Sequence, residues 1–133
     1  MTRIQDYKDL TVWQKSMQLA EDVFKLTENF PNTQRYVLVA QIQRCALSIP
    51  SNIAEGRSRH SHKDFIYHLN IARGSVAELE TQIILSFRLG LIDEASRSNI
   101  GSLLEEIRRM LFGLRKSLKP ETSTLKPEIE EYV

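Results

Sequence analysis

Two groups of basic side chains are the residues of this 133-residue chain best suited to bind a ligand. The first group comprises Arg57, Arg59, His60, His62 and Lys63. The second group comprises Arg108, Arg109, Arg115, Lys116 and Lys119. Side chains of these types neutralise nucleic-acid phosphates, and such binding weakens steeply as the salt concentration rises. A solvated surface, with basic residues near a helix C-terminus, explains the same residues equally well.

The other reactive side chains do not predict catalysis or metal binding. Cys45 has no evident base, and the serines have no triad arrangement. A di-iron site in a helix bundle needs Glu-x-x-His pairs on two helices, and His60, His62 and His68 provide none. We therefore expect a protein that is not an enzyme and that uses no metal and no cofactor.

The stretch SIPSNIAEG, from Ser48 to Gly56, contains a proline within an apolar pattern of helical spacing. Pro50 costs roughly 3 kcal/mol inside a helix, because its ring removes one hydrogen bond and crowds a carbonyl. We predict a helix kinked at Pro50, with Ser48, Ser51 and Asn52 bonding to freed backbone groups. The alternative is one helix that ends near residue 47 and another that begins near Ser51.

Glu78 and Gln82 share one face of a later helix, at positions i and i+4. They could form a paired acidic site. The favoured interpretation is that one of them satisfies buried polar groups, either near Ser51 and Asn52 or at Arg44.

Apolar spacing predicts an all-α protein, an up-down-up-down antiparallel four-helix bundle without strands. The first helix begins at Thr11, where Thr11 and Gln14 match a capping box. The second begins near Thr33 or Gln34 and ends near Gly56, a plausible C-terminal cap. The first basic group lies near the start of the third helix, and the second lies near the end of the fourth helix. These two helix termini can lie at opposite ends of the bundle, so the two groups need not form one patch.

The third and fourth helices have clear boundary signals. Ser61 followed by Asp64 is typical of a serine N-cap with an acid in the first turn. Gly90 is expected to end the third helix in the left-handed conformation, and Asp93 to begin the fourth. Gly74 costs about 1 kcal/mol relative to alanine in a helix, which suggests a close helix crossing there.

The third helix has more apolar surface than one bundle interior needs. Its core seam repeats every 3.5 residues and comprises Phe65, Leu69, Ala72, Val76, Leu79 and Ile83. Further apolar residues off that seam predict a subunit interface, and these are Ile66, Tyr67, Ile71, Ile84 and Phe87. A broad core stripe with scattered exposed residues is the simpler alternative.

Length and charge predict one folded domain, residues 1–119, followed by a tail at 120–133 that we expect to be disordered. The tail has four glutamates and one lysine, a net charge of −3, so the rest of the chain has +4. A single cysteine and the lack of any apolar run of membrane-spanning length favour a soluble cytoplasmic protein without a membrane partner.

Three motifs resemble those of a known family: LTVWQKS from Leu10, SIPSNIAEG, and FIYHLNIARGSVAELETQ from Phe65 to Gln82. The family is the four-helix bundle proteins encoded by intervening sequences of bacterial large-subunit ribosomal RNA genes, often labelled S23 ribosomal proteins. The similarity covers about residues 7 to 118. It implies a ring-shaped homopentamer without catalytic activity, in which the motif residues Ser48, Pro50, Ser51, Asn52, Glu55, Gly56, Glu78 and Gln82 are structural.

A related branch is the accessory variability protein of diversity-generating retroelements, in which a basic pentamer binds a reverse transcriptase and nucleic acid. The family often has a basic pair before the SIPSNIAEG motif, whereas Gln43 precedes Arg44 here. We expect an oligomeric scaffold that binds nucleic acid through backbone charge, and the expected partner is RNA or a ribonucleoprotein. The alternative is an accessory module that docks a protein partner such as a reverse transcriptase.

Overall fold

The computed structural model describes residues 6–118, which form four α-helices joined by short connections. The helices are α1 at Thr11–Thr27, α2 at Ala40–Ser58, α3 at His62–Arg88 and α4 at Glu94–Ser117. A 3-10 turn at Tyr7–Asp9 precedes α1, and helical turns at Asn32–Gln34 and Arg35–Val39 lead into α2. All regular structure within residues 6–118 is helical, which confirms the predicted fold class. Lys119 and the predicted tail at 120–133 lie outside the described residues.

Contacts between α3 and α4 show that neighbouring helices are antiparallel. The Arg97 guanidinium lies 5.1 Å from the Phe87 ring centre, close to the α3–α4 connection. The Arg73 guanidinium lies 5.8 Å from the Phe112 ring centre, far from that connection. Successive helices alternate in direction around the whole bundle. The end of α4 and the α2–α3 connection therefore lie at the same end of the bundle. In the part of the chain that the structure describes, none of the helices has the length and apolar character that crossing a membrane requires.

The core consists of aliphatic side chains from all four helices. The largest fully buried ones are Leu19, Val23, Ile42, Ile49, Ile53, Leu69, Val76, Leu79, Leu104, Ile107 and Leu111. Each contributes about 1.5–3 kcal/mol relative to an exposed position. The predicted α3 seam is confirmed, because all six of its residues are buried.

Three of the predicted helix boundaries are confirmed. The Ser61 Oγ accepts a hydrogen bond from the Asp64 backbone N–H at 3.1 Å, which caps α3. The Asp93 Oδ1 accepts from the Ser96 N–H at 2.8 Å, which caps α4 and lowers the pKa of the Asp93 carboxyl. Gly90 has a φ of 77°, the left-handed conformation that glycine adopts without strain.

The predicted capping box at Thr11 is wrong. Because Thr11 is the first residue of α1, Leu10 occupies the N-cap position and has no side-chain acceptor. The Gln14 Nε2 instead donates to the backbone oxygen of Lys8 at 2.9 Å. This hydrogen bond connects the first turn of α1 to the preceding 3-10 turn.

The roles predicted for Gly56 and Gly74 are both wrong. Gly56 does not end α2, which continues to Ser58, and it is buried. A Cβ atom at Gly56 would lie 2.8 Å from the His68 Cβ and 3.0 Å from the Phe65 Cδ1. Gly74 is exposed, and a Cβ atom there would have no neighbour within 4 Å. The close crossing of α2 and α3 is therefore at Gly56.

Candidate nucleic-acid interface

Helix α2 continues through Pro50, which is buried in its middle. This excludes the alternative of two separate helices. The Asn52 side chain lies one turn after Ser48, and its Nδ2 donates to the Ser48 backbone oxygen at 2.9 Å and to the Ser48 Oγ at 3.1 Å. Ser51 is exposed. Two of the three polar residues around the proline therefore form a local hydrogen-bonded group.

Polar side chains continue from this group across the contact between α2 and α3. The Ser48 Oγ hydrogen-bonds with the Ser75 Oγ at 2.8 Å. The Asn52 Oδ1 accepts from the His68 Nδ1 at 3.0 Å, since the Asn52 amide nitrogen is used by Ser48. We call Cys45, Ser48, Asn52, His68, Ser75 and Glu78 the polar seam. It aligns α2 and α3 through directional bonds as well as through apolar packing.

Cys45 ends the polar seam on the side away from Asn52. Its Sγ lies 3.4 Å from the Glu78 Oε1 and 3.5 Å from the Ser75 backbone oxygen. Burial, and then the neighbouring Glu78 carboxylate, raise the pKa of the Cys45 thiol to about 12. The thiol is therefore protonated at neutral pH, a state that is neither nucleophilic nor metal-binding.

Glu78 and Gln82 differ from their predicted contacts. We expected one of the two to satisfy buried polar groups near Ser51 and Asn52 or at Arg44, and Glu78 instead accepts from the buried Cys45 Sγ at 3.4 Å. The Gln82 Oε1 is buried and has no hydrogen-bond partner among residues 6–118. The same described region contains no group of three or more histidine, cysteine, aspartate or glutamate side chains that could hold a metal ion.

The described residues of both predicted basic groups lie at one end of the bundle, which we call the basic end. The antiparallel order of the helices brings the start of α3 and the last turns of α4 to this end. The sequence argument that the two groups can lie at opposite ends is therefore wrong, because a fourth antiparallel helix ends where the third begins. His60, His62 and Lys63 are exposed there, and Arg57 is half-buried.

Three arginines of the basic end already have glutamate partners. Arg59 pairs with Glu55 at 2.7 Å. Arg108 and Arg109 both pair with Glu105, at 2.5 Å and 3.0 Å. Hydrogen bonds from these two arginines lower the pKa of the Glu105 carboxyl. Exposed ion pairs of this kind are weak, so a phosphate can replace the carboxylate at low cost.

A second set of cations surrounds Phe112 and includes one residue that the sequence argument missed. We call Arg73, Arg115 and Lys116 with Phe112 the cation cluster. The Lys116 Nζ lies 5.9 Å and the Arg73 guanidinium 5.8 Å from the Phe112 ring centre. The Arg115 Nε is buried without a hydrogen-bond partner in the described chain. Helical spacing alone does not reveal this cluster, because it depends on how α3 is aligned with α4.

The predicted interface residues differ in their exposure. Tyr67 is 61 % exposed, Ile84 is 40 % exposed and Ile71 is 37 % exposed. Ile66 is half-buried. Phe87 packs against the core of the chain and lies under Arg97. The fold of one chain therefore accounts, at least in part, for the apolar side chain of Phe87. It does not account for the exposed side chains of Tyr67, Ile71 and Ile84.

The antiparallel bundle, its polar seam around a buried helical proline and its basic end define a small all-α protein of the four-helix bundle class. A family model described as 23S rRNA-intervening sequence protein matches residues 8–113, and the chain belongs to this family. The resemblance drawn from the three motifs is thereby confirmed. The proposed relation to retroelement accessory proteins stays a prediction.

A solved structure with the same fold comes from Bacteroides thetaiotaomicron VPI-5482, and is described as a protein with unknown function from the S23 ribosomal protein family. The two sequences are 32% identical, and the TM-score is 0.74. The alignment covers 79% of this chain and 95% of that chain. No curated protein matches the chain.

Proposed function

We propose that this chain is a non-enzymatic subunit of a homopentameric scaffold in the cytoplasm, and that the scaffold binds RNA through phosphate contacts. The observation that carries the proposal is the basic end. Its cations outnumber the acids near them, and the described cations are Lys8, Arg57, Arg59, Lys63, Arg73, Arg108, Arg109, Arg115 and Lys116. The acids near them are Asp6, Asp9, Glu55, Asp64, Glu80 and Glu105.

A ring increases the effect of this modest charge excess. One subunit offers only a few phosphate contacts, which supports weak binding at physiological salt. When several copies present the same end to one RNA, each further contact is intramolecular and the overall affinity rises by orders of magnitude. The family description refers to 23S rRNA, which makes structured RNA the first ligand to test.

Light scattering of the purified protein tests assembly and binding together. We expect the mass of a pentamer, and added mass with structured RNA at about 50 mM salt that is lost near about 500 mM salt. Replacing Lys63, Arg109 and Lys116 by glutamate should abolish the gain in mass without unfolding the bundle, because all three side chains are exposed.

A matched triple variant at the other end of the bundle provides the control. Lys25, Arg35 and Arg88 are also exposed cations, and their replacement by glutamate changes the net charge equally. We expect this variant to bind RNA nearly as well as the unmodified protein. Equal loss in both variants would contradict a site at the basic end, and a monomeric mass would contradict the scaffold.

A second candidate function is docking of a protein partner, such as a reverse transcriptase. It is favoured by apolar side chains that the subunit leaves in solvent: Tyr36 is 86 % exposed, Val37 is 69 % exposed and Tyr67 is 61 % exposed. A pentamer that gains no RNA mass at any salt concentration would support this function over RNA binding.

A further inference from the structure

We propose that the cation cluster binds one unpaired RNA nucleotide, whose base stacks on the Phe112 ring while its phosphate is held by Arg73, Arg115 and Lys116. This inference rests on the proposed function. Binding through backbone charge alone does not distinguish single-stranded from double-stranded RNA. The proposed site adds a specific contact and a preference for single-stranded regions.

The Phe112 ring provides the stacking surface. It lies on the outer side of α4 and is 45 % exposed, so the bundle core does not account for it. Base stacking on such a ring is tolerant of sequence, because every base has an aromatic face. An exposed apolar residue alone would need no explanation. Phe112 differs because cations from two helices lie within 6 Å of its ring centre.

The described residues of the subunit do not balance the charges around the ring. Between residues 6 and 118, no carboxylate forms an ion pair with Arg73, Arg115 or Lys116. The nearby Glu105 is shared by Arg108 and Arg109, and Glu80 attracts Arg108. A phosphate at the cation cluster would therefore not have to displace a carboxylate.

Two features of the cluster are costly for an unliganded subunit. The Arg115 Nε is a buried donor with no acceptor among the described residues, and such a group costs about as much as its lost hydration. Burial, and then the positive charges of Arg115 and Arg108, lower the pKa of the half-buried Arg73. An anionic oxygen bound near Arg73 and Arg115 would relieve the repulsion between them.

The nucleotide must be unpaired, because a base within a helix has both of its faces covered. Single-stranded loops and bulges are the parts of an RNA whose bases can swing out onto an aromatic side chain. The Phe112 ring and the cations are close enough for a base to stack on the ring while the phosphate next to that base contacts the cations. A duplex would contact only the cations.

Binding of two fluorescent probes to the full-length protein tests this proposal. One probe is a short single-stranded oligouridine, and the other is an abasic ribose-phosphate oligomer of equal length. Phe112→Ala should weaken oligouridine binding by about 5- to 100-fold and leave abasic binding unchanged. Arg73→Gln should weaken the binding of both probes, because it removes a phosphate contact.

Two further variants separate stacking from structural damage. Phe112→Tyr keeps an aromatic face and should keep the affinity for oligouridine. Leu47→Ala removes an apolar side chain on α2 that is 49 % exposed, and should change neither affinity. An altered oligomer mass in Phe112→Ala would instead identify the ring as part of a subunit interface and overturn the proposal.

The outcomes distinguish this inference from the function on which it rests. If the unmodified protein binds neither probe nor structured RNA at low salt, the proposed function fails. If it binds RNA but Phe112→Ala changes nothing, or weakens both probes equally, only the stacking site is overturned.

Discussion

Gly56 sets the closest approach of α2 to α3. We expect Gly56→Ala to destabilise the protein by about 1–2 kcal/mol, because the new methyl group would collide with the His68 Cβ at 2.8 Å. The better helix propensity of alanine offsets part of this cost. Urea unfolding at one fixed protein concentration measures the difference.

Gly74→Ala is the matched control in the neighbouring helix. The site is exposed, and the position that a methyl group would occupy has no atom within 4 Å, so alanine should stabilise the helix by about 0.5–1 kcal/mol. Opposite signs for the two substitutions would support the crossing at Gly56. If Gly74→Ala also destabilises the protein, a neighbouring subunit must pack closely against Gly74.

At the scale of elements, the polar seam fixes how α2 and α3 align. Asn52 is its central residue, because its amide group bonds to Ser48 on its own helix and to His68 on α3. Asn52→Ala should lower the free energy of unfolding by about 1–3 kcal/mol, since it leaves half-buried polar groups without partners.

Ser51→Ala tests whether that loss is specific to the polar seam. Ser51 is adjacent in sequence and exposed, so its substitution should change stability by less than about 0.5 kcal/mol. Thermal or urea unfolding of both variants gives the comparison. Equal stability of the two variants would show that solvent replaces the seam hydrogen bonds without cost.

The sequence predicts some features of the elements better than others. Features that depend on residues close together in the chain are predicted well, and features that depend on residues far apart in the chain are not. Ser61, Gly90 and Asp93 were predicted correctly because a cap or a turn is decided by neighbours within a few residues. The crossing was assigned to Gly74 and lies at Gly56, because only the axial alignment of α2 with α3 decides which glycine is at the crossing.

The candidate site follows the same rule. Arg115 and Lys116 were found from composition, since they share a short basic stretch of α4. Arg73 was missed because it is isolated among small and apolar residues on α3. Its possible role in binding becomes apparent only when the structure places it beside Phe112. Long-range pairs of this kind depend on the relative position of two whole helices, which a single sequence does not specify.

At the scale of the whole molecule, the antiparallel order of the helices concentrates positive charge at the basic end. Residues that are some fifty positions apart in sequence meet at the basic end, because α3 begins where α4 ends. The last described residue, Leu118, is also at this end, and the acidic segment 120–133 follows it in the sequence.

Neutralising that segment should therefore strengthen RNA binding. Replacing Glu128, Glu130 and Glu131 by glutamine removes three negative charges from the sequence that follows Leu118, and negative charge near the basic end would compete with phosphates for its cations. We expect the affinity for structured RNA to rise about 2- to 10-fold at about 50 mM salt. The gain should shrink at about 500 mM salt, where charges several ångströms apart are screened.

Two glutamates at the opposite end of the bundle provide the comparison. Glu21 and Glu28 are exposed on and just after α1, far from the basic end, and their replacement by glutamine should change RNA affinity less than the tail variant does. A salt titration of RNA binding by all three proteins measures both effects. If the tail variant binds no better than the unmodified protein at any salt concentration, the acidic segment does not reach the cations. If both variants gain equally, affinity depends on the net charge of the whole molecule, and the position of the basic end is not what directs RNA to the scaffold.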